Sequence, residues 1–254
     1  MKKLVILGGG AGVVGEALFH GLKSSYNILN LDRAIGQADA SHQYVDATKY
    51  QELLEKIPED TDVIINLLRM ETSQAIEEVD TFDQMTDVFF KATYYTMHVA
   101  NTKKIPKVIF ASSNHVTDYM EENGLSKLGR EITTEDYPYA KGLYGGVLKL
   151  ASEQAGFIFS LNTELSVINI RIGSVPKEEE LKAVEGNERL KRTLLSKVDL
   201  INLFTAAIES DRGFGTYYGG VSDNPDKPWD LTNAIKELGY RPKQNTSELK
   251  SSGL

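Results

Sequence analysis

The chain has 254 residues, of which 41% are hydrophobic; its formal net charge is −8 and it contains no cysteine. This length suits a single sizeable α/β domain, and the acidic charge argues against nucleic acid as a partner, because phosphate binding needs clustered Lys and Arg. No apolar stretch approaches the roughly 20 residues of a membrane span. We therefore expect a cytoplasmic protein with no membrane partner. Without cysteine there is no thiolate chemistry, and the spacing of the four His predicts no metal site.

The N-terminal residues carry the strongest motif. Lys3–Leu7 is an apolar run with the length of a buried strand, and a glycine-rich turn and an apolar helical stretch follow it. Glycines let the backbone approach a pyrophosphate closely, and a helix N-terminus offers unpaired N–H groups and a partial positive charge. Strand, glycine turn and helix in this order predict a dinucleotide site. Its predicted cofactor-binding residues are Gly9, Gly12, Val13, Val14 and Gly15.

The rest of the chain alternates short apolar runs with longer helical patterns. Strands are predicted at 26–31, 43–46, 62–66, 107–111 and 165–170 and around Tyr217-Tyr218, and helices at 48–56 (capped by Thr48), 80–102, 144–160, 195–208 and 231–238. Helices of this length between strands imply right-handed crossovers. The predicted fold is α/β, a Rossmann-type doubly wound parallel sheet in one domain, residues 1–254. Its small C-terminal portion, 171–254, is expected to supply most substrate-binding elements, and the charged segment 176–188 is predicted to be a mobile loop or lid.

Asp32, at the end of the second predicted strand, decides the predicted cofactor. A carboxylate there accepts hydrogen bonds from both ribose hydroxyls and repels a 2′-phosphate, which favours NAD over NADP. Arg33 weakens this argument, since it could pair with a 2′-phosphate. Asp46, with Ala47, could meet the adenine amino group or act as a helix-capping acid. The carboxyl edge of the sheet adds Leu67 and Leu68 to the predicted cofactor residues.

A set of residues suited to proton transfer follows the fifth predicted strand. Ser113 leaves that strand, and Tyr144 and Lys149 lie at the start of the next predicted helix. A free phenol, with a pKa near 10, is a poor base at neutral pH, but a neighbouring ammonium and an oxidised nicotinamide favour the phenolate. We therefore predict Tyr144 as the general base, Lys149 as its cation and Ser113 as the residue that holds the substrate hydroxyl.

These motifs resemble the extended short-chain dehydrogenases/reductases, the NAD-dependent epimerase/dehydratase group, and within it the uronate dehydrogenases. The matching segments are the glycine turn, Phe110–His115, Leu143–Gly145, Asn169–Ser174, Arg189–Leu190, Thr193–Ser196 and Leu238–Pro242. The resemblance implies an enzyme that oxidises a sugar acid at C1 with NAD and releases an aldonolactone. The substrate-binding residues that it implies are Asn114, His115, Ser174 and Arg189. Arg189 would clamp the carboxylate, which suits the planar fork of an arginine.

The resemblance also implies a homodimer or higher homo-oligomer, formed through the helices at 80–102 and 144–160. Their Phe and Tyr content offers apolar area beyond one core face, which can mark an interface. Two other functions stay open. One is a nucleotide-sugar epimerase or dehydratase, against which the short C-terminal portion argues, and the other is an NAD-binding protein without turnover.

The chain departs from the family pattern at the Tyr–Lys pair. The family spaces these residues four apart, whereas Tyr144 and Lys149 are five apart, which turns Lys149 by about 100° on an ideal helix. Gly145-Gly146 could absorb the extra residue as a π-bulge or a late helix start. Tyr137–Lys141 has the four-residue spacing, although Pro138 opposes a helix there. In a third interpretation the pair is broken and the protein only binds nucleotide.

Three further departures concern the substrate. Val13 stands where the family has a Gln, Phe89 where it has an Asn, and the bulky segment Leu67–Glu71 where it has small residues. In that segment Arg69 could meet an anionic group, whereas Glu71 would repel a carboxylate. The sequence therefore predicts the cofactor more firmly than the sugar, and a sugar phosphate or another polyol stays among the candidates.

Overall fold

The computed structural model describes residues 1–70, 78–177, 184 and 186–248. Within them, seven parallel strands form one sheet in the order β3-β2-β1-β4-β5-β8-β9. The strands are β1 Lys3–Leu7, β2 Asn27–Asp32, β3 His42–Tyr44, β4 Val63–Asn66, β5 Lys107–Ser113, β8 Ser166–Ile172 and β9 Phe214–Gly220. A separate two-stranded hairpin consists of β6 Glu121–Glu122 and β7 Leu125–Ser126. The parallel order confirms the predicted doubly wound α/β fold.

Helices cover both faces of this sheet. They are α1 Val13–Leu22, α2 Tyr50–Lys56, α3 Val79–Met85, α4 Ala92–Thr102, α5 Leu150–Asn162, α6 Glu188–Thr193 and α7 Lys197–Glu209. One apolar core includes Leu18 of α1 and Phe204 of α7, and the other includes Leu53 of α2 and Met97 of α4, all fully buried. Among the described residues, no helix has the length and apolar character needed to cross a bilayer.

The strand register sets the position of the functional edge. Leu7 pairs with Leu31 on one side and with Asn66 on the other, and Asn66 pairs in turn with Phe110. The carboxyl ends of these strands therefore meet at one edge of the sheet, where ligands of doubly wound folds bind. The loops that follow β1, β2, β4 and β5 all leave from this edge.

A turn of π-helix interrupts one long helix, and a second turn of π-helix begins another. Thr86–Lys91 is π-helical between α3 and α4, and Tyr144–Lys149 is π-helical immediately before α5. A π-turn accommodates one more residue than an α-turn without a break in the helix. The second π-turn lies where the sequence has one residue too many between Tyr144 and Lys149. It confirms the π-bulge interpretation of that spacing.

Several predicted boundaries are wrong, each for a local reason. The cap of α2 is Lys49 without a side-chain hydrogen bond, because the Thr48 hydroxyl donates to Asp46 Oδ1 at 2.7 Å. The C-terminal helix predicted over 231–238 is present over 232–238, and its last five residues, Ala234–Leu238, are π-helical. The hairpin and α6 were not predicted, since neither has an apolar period. Most of the predicted lid, at 178–183 and 185, lies outside the described residues, as does Glu71.

Candidate functional site

Two adjoining clefts occupy the carboxyl edge of the sheet. The first, of about 560 Å³, contains Ser113, Tyr144 and Lys149 among its lining residues. The second, of about 470 Å³, contains Asp32 and Asp46. The two clefts share Gly8, Gly12, Val13, Leu68 and Arg69. Because the shared residues are the glycine turn and the loop after β4, the clefts form one groove that crosses the N-terminus of α1.

The glycines of the turn have two roles. Some allow α1 to pack closely on the turn, and others leave the groove open to a ligand. Gly8 has a φ of +77°, a left-handed conformation that favours glycine. A Cβ on Gly15 would lie 2.5 Å from the Gly9 Cα, so this pair lets α1 pack directly on the turn. A Cβ on Gly12 would meet nothing within 4 Å. Gly12 and Gly15 line the groove, whereas Gly9 is buried beneath it and acts through packing.

The N-terminus of α1 leaves backbone donors free for a ligand. Its cap, Gly12, makes no side-chain hydrogen bond to the helix. The first N–H groups of a helix have no intrahelical acceptor, and they carry the positive end of the helix dipole. Val13 and Val14 belong to this first turn and line the first cleft. Such a helix end suits a phosphate group.

Two acids organise the second cleft. Asp32 accepts hydrogen bonds from the backbone N–H of Gly10 at 2.8 Å and of Ala34 at 3.0 Å, which fixes its carboxylate beside the glycine turn. Asp46 accepts from Thr48 and lies on the floor of the cleft with Ala47. Burial opposes ionisation of Asp46, but the hydrogen bonds from Thr48 together with the charges of Arg33 and Lys49 hold the pKa of that carboxyl below its usual value. Asp46 therefore forms the turn before α2 rather than its cap.

The predicted catalytic residues meet in the first cleft. Lys149 Nζ lies 5.8 Å from the centroid of the Tyr144 ring and donates to the Ala111 carbonyl oxygen at 2.7 Å. Phe89, the residue that departs from the family's Asn, packs its ring against Tyr144 with a centroid separation of 4.7 Å. Ser113 ends β5, is buried and lines the same cleft. The extra residue between Tyr144 and Lys149 therefore does not carry Lys149 out of the cleft.

Burial shifts both proton-transfer groups toward their neutral forms. It raises the pKa of the Tyr144 phenol, an effect that the charge of Arg69 and the interaction with Ser113 only partly offset. It lowers the pKa of the fully buried Lys149 to about 7, although Glu153 favours the charged form. The sequence predicted that the Lys149 ammonium would favour the phenolate. In the structure the cationic contribution comes from Arg69 instead.

The four predicted substrate residues lie along the first cleft, and three of them already have partners. His115 Nδ1 lies 3.0 Å from Asp118 Oδ2, and Ser174 Oγ lies 3.1 Å from Thr193 Oγ1. Arg189 donates to both carboxylate oxygens of the buried Glu121, from Nε at 3.1 Å and from Nη2 at 2.9 Å. Asn114 is buried beside them.

The alternative Tyr–Lys pair lies away from the cleft. The Tyr137 side chain is 68% exposed and its ring packs on Tyr139 at a centroid distance of 4.8 Å. Lys141 Nζ donates to the Glu121 carbonyl oxygen instead. Neither Tyr137 nor Lys141 lines either cleft. Tyr144 and Lys149 are therefore the pair that the fold brings together.

A buried ionic network below the first cleft was not predicted. Glu153 lies one helical turn after Lys149 and forms an ion pair with Arg171 at 2.8 Å. It also accepts from Ser112, the residue before Ser113. Arg171 donates in turn to the Tyr218 hydroxyl at 2.8 Å. Both acid and base were visible in the sequence, but their pairing depends on how α5 packs against β8, and no local pattern signals that contact.

Comparison with known proteins identifies the family. Residues 5–212 match the model of the NAD dependent epimerase/dehydratase family. The chain belongs to this family. Family membership confirms both the resemblance predicted from the motifs and NAD as the family's cofactor. The match covers the entire groove, from the glycine turn through Arg189.

Individual relatives span the whole chain. An uncharacterized protein of Bacillus subtilis (strain 168), YtbQ, is 51% identical over 98% of this chain and 97% of its own length. An NAD-dependent glucose-6-phosphate dehydrogenase of Haloferax volcanii is 26% identical over 100% of this chain and 98% of its own. The crystal structure of uronate dehydrogenase from Agrobacterium tumefaciens superposes with a TM-score of 0.79 at 23% identity, covering 97% of this chain and 86% of that one. The last comparison shows a shared fold.

The groove fits an NAD molecule on its own geometry. The uncapped start of α1, with Gly12 open to the groove, suits a pyrophosphate. The Asp32 carboxylate, held at the second cleft, suits an adenosine ribose. Ala47 offers a buried apolar floor for a base. Each of these residues was predicted for the cofactor from the sequence.

Proposed function

We propose that this protein is an NAD-dependent dehydrogenase that oxidises an anionic sugar, of the hexuronate type, at C1. The observation that carries the proposal is the grouping of Ser113, Tyr144 and Lys149 in one cleft that continues into the glycine turn. The turn and Asp32 would hold the pyrophosphate and the adenosine ribose, and Asp46 and Ala47 would line the adenine. The nicotinamide would then face Tyr144.

The chemistry that we assign to the chain is proton removal and positioning. Ser113 would form a hydrogen bond with the C1 hydroxyl of the sugar, as donor or acceptor. This bond would hold the hydroxyl against Tyr144. The Tyr144 phenolate would take the hydroxyl proton while C1 loses a hydride and the C1–O bond becomes a carbonyl, which gives a lactone. NAD, when bound, supplies the hydride acceptor. Lys149 would meet the nicotinamide ribose and, when charged, favour the phenolate.

Charge in the first cleft supports an anionic substrate. Among the described residues, its lining contains Arg69, Lys149, Arg189 and His115 and no carboxylate. A cleft of one charge sign raises the local concentration of ligands of the opposite sign. The names of two relatives, a glucose-6-phosphate dehydrogenase and a uronate dehydrogenase, also refer to anionic sugars.

We also propose that the protein is a homodimer in the cytoplasm. Exposed apolar side chains lie on α4 and α5, where Tyr94 is 43%, Ile158 58% and Leu161 68% exposed. Apolar side chains grouped in this way are typical of interaction surfaces. The location in the cytoplasm rests on the sequence alone.

A sugar panel tests the proposed function. Purified protein would be mixed with NAD or NADP and with glucuronate, galacturonate, glucose 6-phosphate and glucose, and reduced nicotinamide would be followed by its absorbance. We expect NADH formation with at least one anionic sugar. Conversion of a nucleotide sugar without net NADH would instead identify an epimerase or dehydratase. NAD binding with no turnover of any sugar would identify a silent nucleotide-binding protein.

A further inference from the structure

Arg189, the arginine expected to clamp the substrate anion, is already neutralised. Both oxygens of the Glu121 carboxylate accept hydrogen bonds from its guanidinium, and the Glu121 side chain is only 4% exposed. Removing the cation from a buried carboxylate leaves an uncompensated charge, which is strongly unfavourable. A substrate that took Arg189 from Glu121 would have to repay that cost. Arg189 therefore serves to fasten α6 to the β6–β7 hairpin.

Arg69 is in the opposite situation. It follows β4 on the loop at the carboxyl edge, its side chain is exposed, and it lines both clefts. No hydrogen bond or ion pair joins it to another residue of the described ranges. It lines the first cleft together with Tyr144, and its charge partly offsets the rise in the pKa of Tyr144 that burial causes.

The other basic side chains of the first cleft already have hydrogen-bond partners as well. Lys149 donates to the Ala111 carbonyl oxygen, and His115 is held by Asp118. Arg69 is thus the cation of this lining that keeps its hydrogen-bond donors available among the described residues. Its planar fork can hold a carboxylate or a phosphate through two parallel hydrogen bonds.

We propose that Arg69 is the specificity-determining residue of this chain and binds the anionic group of the sugar, in place of Arg189. This inference rests on the proposed function and names the residue that recognises its substrate. The anion meets the guanidinium at the junction of the two clefts, beside the nicotinamide end of the groove and within reach of the Tyr144 ring. A neutral sugar makes no such contact.

Kinetics of Arg69→Gln test the proposal, with Arg212→Gln as the matched control. Arg212 lies just before the start of β9, at the edge of the sheet opposite to the groove, and lines neither cleft. Its Nη2 is 3.7 Å from Glu237 Oε2. For glucuronate and glucose 6-phosphate we expect kcat/KM to fall about 10- to 100-fold in Arg69→Gln, the loss of a charged hydrogen-bond pair. Activity with glucose should fall less, since a neutral sugar loses only the effect of the Arg69 charge on Tyr144, and the KM for NAD should stay unchanged. The anionic sugar whose kcat/KM falls more shows whether Arg69 prefers a carboxylate or a phosphate.

Several results would overturn the proposal. One is an equal loss for anionic and neutral sugars, and another is a raised KM for NAD alone, which would assign Arg69 to the cofactor. A third is a selective loss of anionic substrates in Arg189→Gln but not in Arg69→Gln, provided that Arg189→Gln keeps its fold by circular dichroism.

A binding measurement separates this proposal from the proposed function. Glucuronate would be titrated calorimetrically into the NADH-saturated wild-type protein and into Arg69→Gln. Binding by the wild type alone supports Arg69 as the anion site even if no sugar is turned over, in which case only the dehydrogenase function fails. Equal binding by both proteins, or no binding of either glucuronate or glucose 6-phosphate by the wild type, overturns it.

Discussion

Glu153 holds Arg171 through both carboxylate oxygens, at 3.0 Å from Nε and 2.8 Å from Nη2, and neither side chain is more than 4% exposed. The pair joins α5 to β8 directly below the first cleft. Glu153 is also the residue that favours the charged form of Lys149. One buried carboxylate therefore connects the stability of the sheet to the electrostatics of the site.

Replacing this carboxylate should be costly. We expect Glu153→Gln to lower the free energy of unfolding by about 3–5 kcal/mol, because Arg171 is left as an uncompensated buried charge. Chemical denaturation measures the loss. Glu188→Gln is the control, since its pair with Lys191 is exposed and screened by solvent and should contribute little to stability. Equal effects of the two substitutions would contradict the role assigned to the buried pair.

Tyr144→Phe should abolish NADH formation and leave NAD binding intact. The substitution removes the proton acceptor but keeps the ring that packs on Phe89, and loss of a general base typically lowers a rate by about 10²- to 10⁴-fold. Absorbance gives the rate and calorimetry gives NAD affinity. Tyr139→Phe is the matched control, because Tyr139 is 56% exposed and outside the cleft. Undiminished turnover in Tyr144→Phe would rule out the assigned base.

Alanine substitutions of two glycines in the turn should affect different properties, stability for Gly15 and NAD affinity for Gly12. Gly15→Ala puts a Cβ 2.5 Å from the Gly9 Cα, so overpacking should cost about 1–3 kcal/mol of stability. Gly12→Ala meets no protein atom within 4 Å and should keep its stability. It should nevertheless raise the Kd for NAD about tenfold, or about 1.4 kcal/mol, because the methyl group blocks approach to the helix N-terminus. Thermal melts and calorimetry separate the effects; NAD affinity unchanged in Gly12→Ala would contradict the groove assignment.

The buried Lys149 should make stability depend on pH. Its pKa is about 7 in the folded protein and about 10.4 in the unfolded chain. Between these values the unfolded chain binds more protons, so the lysine's destabilising effect is full below pH 7 and fades as pH rises to about 10. The stability advantage of Lys149→Met over the wild type should therefore shrink, by up to about 1.4 kcal/mol per pH unit. Denaturation at pH 7, 8 and 9 measures it; a constant difference would mean that Lys149 stays charged.

The proposed dimer can be tested on its apolar face. Leu161 is 68% exposed on α5, and a charge there would have to be buried between two subunits. Light scattering after gel filtration should give a dimer for the wild type and a monomer for Leu161→Asp. Leu128→Asp, at a 41% exposed site on another surface, should stay dimeric. A wild-type protein that is monomeric would contradict the proposed dimer.

The sequence predicts those elements whose formation depends on local pattern. Both ends of β1 are predicted correctly, because a short continuous apolar run that ends at a glycine turn is typical of a buried strand. β5 extends two residues past its predicted end because Ser112, which looks like a loop residue, is satisfied by Glu153 inside the fold. α6 escapes prediction because its stabilising partner, Glu121, is 68 residues away.

The residues of the candidate site also differ in whether a local sequence pattern or a distant contact determines them. The glycine turn, Asp32 and the Tyr144–Lys149 pair could be predicted because their spacing relative to strands and helices signals them. The sequence offered Arg69 as a residue that could meet an anionic group, and the role proposed for it rests on the ion pair between Arg189 and Glu121. Charge pairing across the sheet depends on tertiary register, which a single sequence does not specify.

The π-turn at Tyr144–Lys149 has a consequence for how such chains are recognised. A one-residue insertion has been absorbed within a single helical turn, so everything downstream of Lys149 keeps its orientation toward the sheet. Deleting either Gly145 or Gly146 would return the segment to ordinary α-helical winding and bring the pair to the spacing common in the family. A search that demands a fixed interval between tyrosine and lysine would pass over proteins built this way, although the two side chains still reach the same chamber.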